Sequence, residues 1–103
     1  MTVLDIQPEV RAVLTGILSA YLQNGEMVYV FGSRAKGSAR KYSDLDIAID
    51  AHGRAVDFSK ECALKCALEE SDIPYRVDVV DWNSVPPEFK TLIKKDLVSL
   101  PYA

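Results

Sequence analysis

The chain has little cysteine, no surplus of positive charge and no long apolar run. Two cysteines, Cys62 and Cys66, in 103 residues are too few for a disulfide scaffold. They stand one helical turn apart, and His52, the lone histidine, does not complete a metal-ligand set with them. They are therefore read as thiols packed on the apolar face of a helix, and His52-Gly53 as loop. Nothing approaches the ~18 consecutive apolar residues needed to cross a bilayer. The opening Met-Thr-Val-Leu-Asp-Ile-Gln-Pro-Glu has no basic start, apolar core or small-residue cleavage site. It does not read as a secretory signal, so a cytoplasmic location is expected. The formal net charge is -3, whereas holding nucleic acid by its phosphates needs clustered Lys and Arg. Stable nucleic-acid binding is not expected. The small basic group Arg34, Lys36, Arg40 and Lys41 suits a small phosphate-bearing substrate better than a duplex.

What is present describes an ordinary folded protein. Hydrophobic residues make up 49% and charged residues 26%, a balance that excludes disorder over most of the length. The length is that of one domain, spanning residues 1–103.

Apolar residues at three- and four-residue steps predict an amphipathic helix from Pro8 to about Asn24, with Val10, Val13, Leu14, Ile17, Leu18, Tyr21 and Leu22 on its stripe and Asn24-Gly25 as its left-handed stop. Met27–Phe31 reads as a buried strand broken by Gly32, after which Ser33 can cap a short helical turn. Leu45–Ala51 forms a second strand. A second amphipathic helix runs from about Val56 to Ser71, with Phe58, Cys62, Leu64, Cys66 and Leu68 inward, and Asp72-Ile73-Pro74 ends it. Arg76–Trp82 is a third strand. Pro86-Pro87 starts a last helix to about Lys95, with Phe89, Leu92 and Ile93 inward. The tail Leu97–Leu100 fits either a strand or a frayed end. The order predicts an α/β (α+β) domain in which helices cover one face of a small mixed sheet.

The chemistry concentrates in two stretches, Gly32-Ser33-Arg34-Ala35-Lys36-Gly37 and Ser43-Asp44-Leu45-Asp46. Residues two apart at a strand start point to one face, so Asp44 and Asp46 form a pair while Leu45 and Ile47 point into the core. Adjacent carboxylates repel unless a cation lies between them, and Mg²⁺ prefers oxygen ligands completed by substrate phosphates. Asp78 places a third charge inside the apolar strand Arg76-Val77-Asp78-Val79-Val80, a costly position unless it is paired or coordinating. If the two strands are neighbours, the three carboxylates converge. Such a group can hold two ions that clamp the attacking and leaving oxygens of an in-line displacement. Asp81 competes with Asp78, but lies three residues on and faces the other side of a regular strand. Gly32 lets a phosphate approach the backbone and Ser33 offers it a hydroxyl. Arg34 and Lys36 are either plain surface charges or the cations that neutralise a triphosphate. The loop is not a Walker A P-loop, since no Gly-Lys-Ser/Thr follows.

These residues resemble the signature of the DNA polymerase β-like nucleotidyltransferase superfamily: Gly-Ser, ten residues, Asp-x-Asp and a later strand Asp, spanning roughly Val28 to Asp81. The Gly-Ser-Arg-Ala-Lys-Gly and Tyr-Ser-Asp-Leu-Asp forms look most like its minimal nucleotidyltransferase branch, with Lys36 where Arg is frequent. The resemblance implies the polymerase β-like fold and a Mg²⁺-dependent antitoxin that transfers AMP from ATP to a tyrosine of a HEPN-domain toxin. It implies Asp44, Asp46 and Asp78 as catalytic metal ligands, for two Mg²⁺ ions, and Gly32 and Ser33 as phosphate contacts beside Arg34 and Lys36. Two other readings stay open: a binding module that only masks its partner, and transfer to a small molecule or RNA end. Trp82, Phe89 and Tyr102 fit either internal packing or a partner surface, and Arg76 either a local salt bridge or a nucleotide contact.

Overall fold

The computed structural model describes residues 4–23 and 25–102. Helix α1 (Pro8–Tyr21) is followed by strand β1 (Met27–Phe31), the one-turn helix α2 (Ser33–Lys36) and strand β2 (Leu45–Asp50). Helix α3 (Phe58–Glu69), strand β3 (Val77–Asp81), helix α4 (Pro87–Ile93), a 3₁₀ turn (Lys94–Asp96) and the short strand β4 (Val98–Ser99) complete it. The sheet order is β3-β2-β1-β4. β1 runs antiparallel to β2 and β4, and β2 parallel to β3. α3 supplies the crossover that a parallel pair requires. The expected mixed sheet with helical cover is what forms.

Period-two alternation gives the sheet two different faces. Val28, Val30, Leu45, Ile47, Ile49 and Val79 are buried together with Leu14 and Leu18 of α1 and Leu64 and Leu68 of α3. Each fully buried aliphatic chain contributes about 1.5–3 kcal/mol relative to exposure. The opposite face carries Phe31, Asp46 and Asp78, since Phe31 pairs with Asp46 and Asp46 with Asp78. α4 covers part of this face, where Phe89 meets Phe31 edge-on at 6.1 Å between centroids.

Several elements differ from the sequence reading. α1 stops at Tyr21 because Leu22 is extended and turns into the core; Asn24, the expected stop, lies outside the described residues. On α3 only the row Leu64–Leu68 is buried. Cys62 and Cys66 are both exposed, and Phe58 is 76% exposed. These three share a separate row, at four-residue steps, which the narrow contact with the sheet does not reach. Leu92 is exposed as well, so Phe89 makes the inward contact of α4. The tail proves to be strand: β4 pairs with Tyr29 and Val30, and Leu100 N–H donates to Val28 O at 2.9 Å. Tyr102 packs internally, its hydroxyl within bonding distance of the Gln23 and Glu26 carbonyls. Among the described residues no helix is long and apolar enough to cross a membrane.

Candidate active site

β1 ends at a conformation that only glycine adopts freely. Gly32 has φ 76° and ψ -156°, and a Cβ there would collide with Asp46 Oδ2. The glycine thus serves two ends. It turns the chain from β1 into α2, and it lets the backbone lie against a carboxylate of the neighbouring strand. Gly32 is the N-cap and Ser33 the first helical residue, so the capping role expected of Ser33 does not occur. The turn is closed by bonds from Ala35 N–H and Lys36 N–H to Gly32 O, and from Ser38 N–H to Ser33 O. Gly37, left-handed at φ 78°, ends it.

Arg34 departs most from the sequence reading. Expected at a triphosphate, it is 2% exposed. Its Nε donates to Ser43 O at 3.1 Å, Nη1 to Asp5 O at 2.9 Å, and Nη2 reaches the carbonyls of Arg40, Lys41 and Ser43. The guanidinium stacks on Tyr75, 3.7 Å from the ring centroid. A group so buried and so engaged with main-chain carbonyls is turned into the fold and away from a ligand at the surface. Arg34 instead ties α2 to the loop that leads into Asp44. Lys36, by contrast, is an exposed cation whose Nζ stands 3.4 Å from Asp96 Oδ2.

The carboxylates stand at the start of the parallel pair. Asp44 lies just before β2, Asp46 is its second residue, and Asp78 is its Cα partner on β3. Burial pushes the Asp46 carboxyl above its ordinary value, and the charges of Asp78 and then Asp44 push it further. Arg76 opposes this, its Nη2 at 3.8 Å from Asp78 Oδ1. Among the described residues, no group of three His, Cys, Asp or Glu side chains is gathered closely enough to hold a metal ion. The donor chemistry nonetheless suits a hard divalent cation: oxygen ligands only, in mutual repulsion, open to a substrate.

The family described as polymerase beta, nucleotidyltransferase, matches residues 14–100, and so takes in the Gly32 turn and all three carboxylates. The chain belongs to this nucleotidyltransferase family. One relative, named "Probable protein adenylyltransferase MntA", from Haemophilus influenzae, is 44% identical over 92 residues, covering 89% of this chain and 79% of the relative. A solved structure assigned as a minimal nucleotidyltransferase is 30% identical at a TM-score of 0.64, covering 87% of this chain and 88% of the other. The crystal structure of a toxin–antitoxin with AMP-PNP aligns at a TM-score of 0.72 and 24% identity, over 90% of this chain and 73% of that one. This last likeness is one of fold.

In this nucleotidyltransferase the neighbouring acids have other work. Asp81 Oδ2 accepts from Val56 N–H and Ser84 Oγ–H, both at 2.8 Å, and Oδ1 from Asn83 N–H. Asp50 Oδ1 accepts from Gly53 N–H and Asn83 Nδ2; those two bonds hold its carboxyl below the ordinary value. Both acids pin loops. Trp82 lies under Lys90, whose Nζ is 5.2 Å from its ring centroid. Sequence reasoning missed Tyr75 as the platform for Arg34. The two are distant in the chain, and no periodicity links them.

Proposed function

We propose that this nucleotidyltransferase transfers AMP from ATP onto a protein hydroxyl, a tyrosine of a HEPN-domain toxin, and so acts as an antitoxin. The similarity to a protein named as an adenylyltransferase supports the reaction class. The observation that carries the reading is the registered pair Asp46–Asp78 with the Gly32 backbone packed against Asp46. This close approach of backbone to carboxylate supports a reading in which phosphate meets the turn beside a cation held by the acids.

Asp44, Asp46 and Asp78 would hold Mg²⁺, two ions in the fullest form. The metal, when bound, neutralises phosphate oxygens and lowers the barrier to displacement at phosphorus. The Gly32 backbone and the Ser33 hydroxyl take the phosphates, and exposed Lys36 adds positive charge at the end of α2. The tyrosine oxygen forms a bond to the α-phosphorus while the α–β bridging P–O bond breaks. Pyrophosphate leaves with the electron pair. Asp78 accepts the phenolic proton, directly or through water. Arg34 fixes the loop before Asp44 and does not touch the nucleotide.

A chain of this fold stands in a toxin–antitoxin structure with AMP-PNP, which is the reason to choose a co-expressed helical toxin as the first acceptor. The test is intact-mass analysis of that toxin after incubation with this chain, ATP and Mg²⁺. One or more AMP units are expected, and none with the Asp44→Ala/Asp46→Ala variant or with EDTA. Equal transfer by the double variant would sink the mechanism. Neutralisation by the variant as strong as by the wild type would instead mean masking without catalysis.

A further inference from the structure

The two edges of the sheet are treated differently. The β4 edge is two residues long, with Pro101 two positions past its end, a blunted edge of the kind that resists pairing. The β3 edge is five residues long, pairs with β2 without a bulge, and contains no proline. Among the described residues no strand lies beyond it. Leu45 N–H donates to Arg76 O, and Trp82 N–H to Ile49 O. In a parallel ladder alternate residues face the partner, so the N–H and C=O groups of Val77 and Val79 point away from β2. Among the described residues no main-chain group meets them on that side.

A groove of about 670 Å³ runs beside this edge, lined by Lys65, Leu68, Ile73, Tyr75, Val77 and Val79 among others, and Asp78 is also in its wall. Val77 and Val79 lie on the core side of the strand, while Asp78 lies with Asp46 on the open face. The groove is therefore continuous with the candidate active site through one residue.

We infer that the β3 edge is the acceptor channel: it takes an extended segment of the partner protein as an added antiparallel strand, with a hydroxyl side chain opposite Asp78 and apolar side chains on either side of it in the groove. This rests on the adenylyl-transfer reading and names where its acceptor lies. Strand addition combines main-chain bonds for affinity with pockets for alternate side chains. Residues opposite Val77 and Val79 exchange both main-chain bonds with the edge. The residue opposite Asp78 falls at a non-hydrogen-bonded pair, where facing Cα atoms are only about 4.5 Å apart. Its hydroxyl side chain then stands on the same face as Asp78, and its apolar neighbours face Leu68 and Ile73. The segment this edge selects reads apolar–hydroxyl–apolar.

The test uses the intact chain and a lysine-flanked Ile-Tyr-Ile peptide, with a copy N-methylated at both isoleucine nitrogens. Residue-resolved hydrogen exchange is followed at the Val77 and Val79 amides, with mass measured in parallel. The plain peptide is expected to slow exchange at both amides about tenfold, and the methylated copy to leave them unchanged. With ATP and Mg²⁺ the plain peptide is expected to gain AMP on its tyrosine. No protection, or equal protection by the methylated copy, overturns the channel. Protection without peptide, at twice the monomer mass, assigns the edge to a second copy of this chain and overturns it too. A peptide that protects both amides but gains no nucleotide, while the toxin does, places the acceptor elsewhere. Because protection needs no catalysis, loss of the channel leaves the proposed reaction standing. Protection with no transfer to either acceptor counts against the reaction itself.

Discussion

At the scale of single residues, Arg34 and Gly32 show how side-chain size and donor geometry set a site they do not themselves occupy. Arg34 satisfies four backbone carbonyls from inside the fold. Replacing it with Met leaves those acceptors dry, which we expect to cost about 3 kcal/mol in urea unfolding. Arg34→Lys should be nearly as damaging, because an ammonium cannot spread over several carbonyls or stack flat on Tyr75. A Lys variant of wild-type stability would mean that charge alone matters there. Gly32→Ala combines a positive φ with a collision at Asp46 Oδ2. It should destabilise by about 2 kcal/mol and abolish transfer, since the carboxylate must move for the methyl to fit. The measurement is a Tm paired with the AMP mass gain; retained activity would show that Asp46 has room to shift.

At the scale of elements, the loop before β1 and helix α3 are joined through a buried acid. Glu26 is 7% exposed, its Oε1 accepting from Gln23 N–H at 2.6 Å and from Lys60 Nζ at 2.9 Å. Burial alone would push its carboxyl up, but the Gln23 bond, Lys60 and the nearby charge of His52 outweigh it and hold it below the ordinary 4.5. A carboxyl depressed on folding adds stability above its unfolded value, and that stability is lost as pH falls through the lower, folded value. The wild type should therefore lose stability on acidification below about pH 4.5, part of it through this group, and Glu26→Gln should show a smaller loss over the same range. Parallel urea titrations at pH 7 and pH 3 decide it; identical slopes in the two proteins would remove Glu26 as a cause. Helix α1 and strand β2 were legible in the sequence because each obeys a local period. Val10, Leu14 and Leu18 fall on one helical stripe, and Leu45, Ile47 and Ile49 on one side of a strand. The placement of Asp46 beside Asp78 followed from the same alternation once β2 and β3 were neighbours. What was not legible depends on contacts between distant residues. Arg34 looks like a surface cation until Tyr75 and the carbonyls of residues 40–43 surround it. Cys62 and Cys66 look inward until the sheet proves wide enough only for the Leu64–Leu68 row.

At the scale of the whole molecule, the sheet separates stability from chemistry. Its inner face holds the apolar core, and its open face carries Asp46 and Asp78 side by side in register. Asp46 is the test of that separation, because burial, Asp78 and Asp44 all disfavour its ionised form. An acid whose carboxyl is raised on folding costs stability once pH exceeds its ordinary value, as the charge is forced on in an unfavourable place. Asp46→Asn removes that charge while keeping the shape that fits against Gly32. The variant should gain about 1 kcal/mol at pH 7, the exchange expected where function is built on strain. The gain should vanish near pH 3, where the wild-type carboxyl already carries its proton. Adenylyl transfer should be lost at every pH. Thermal unfolding at the two pH values, with the mass assay alongside, separates the outcomes. A variant less stable than the wild type at pH 7 would make Asp46 a structural residue, held by partners other than a cation. A variant more stable but inactive would identify the carboxylates as groups kept for the reaction at the expense of the fold.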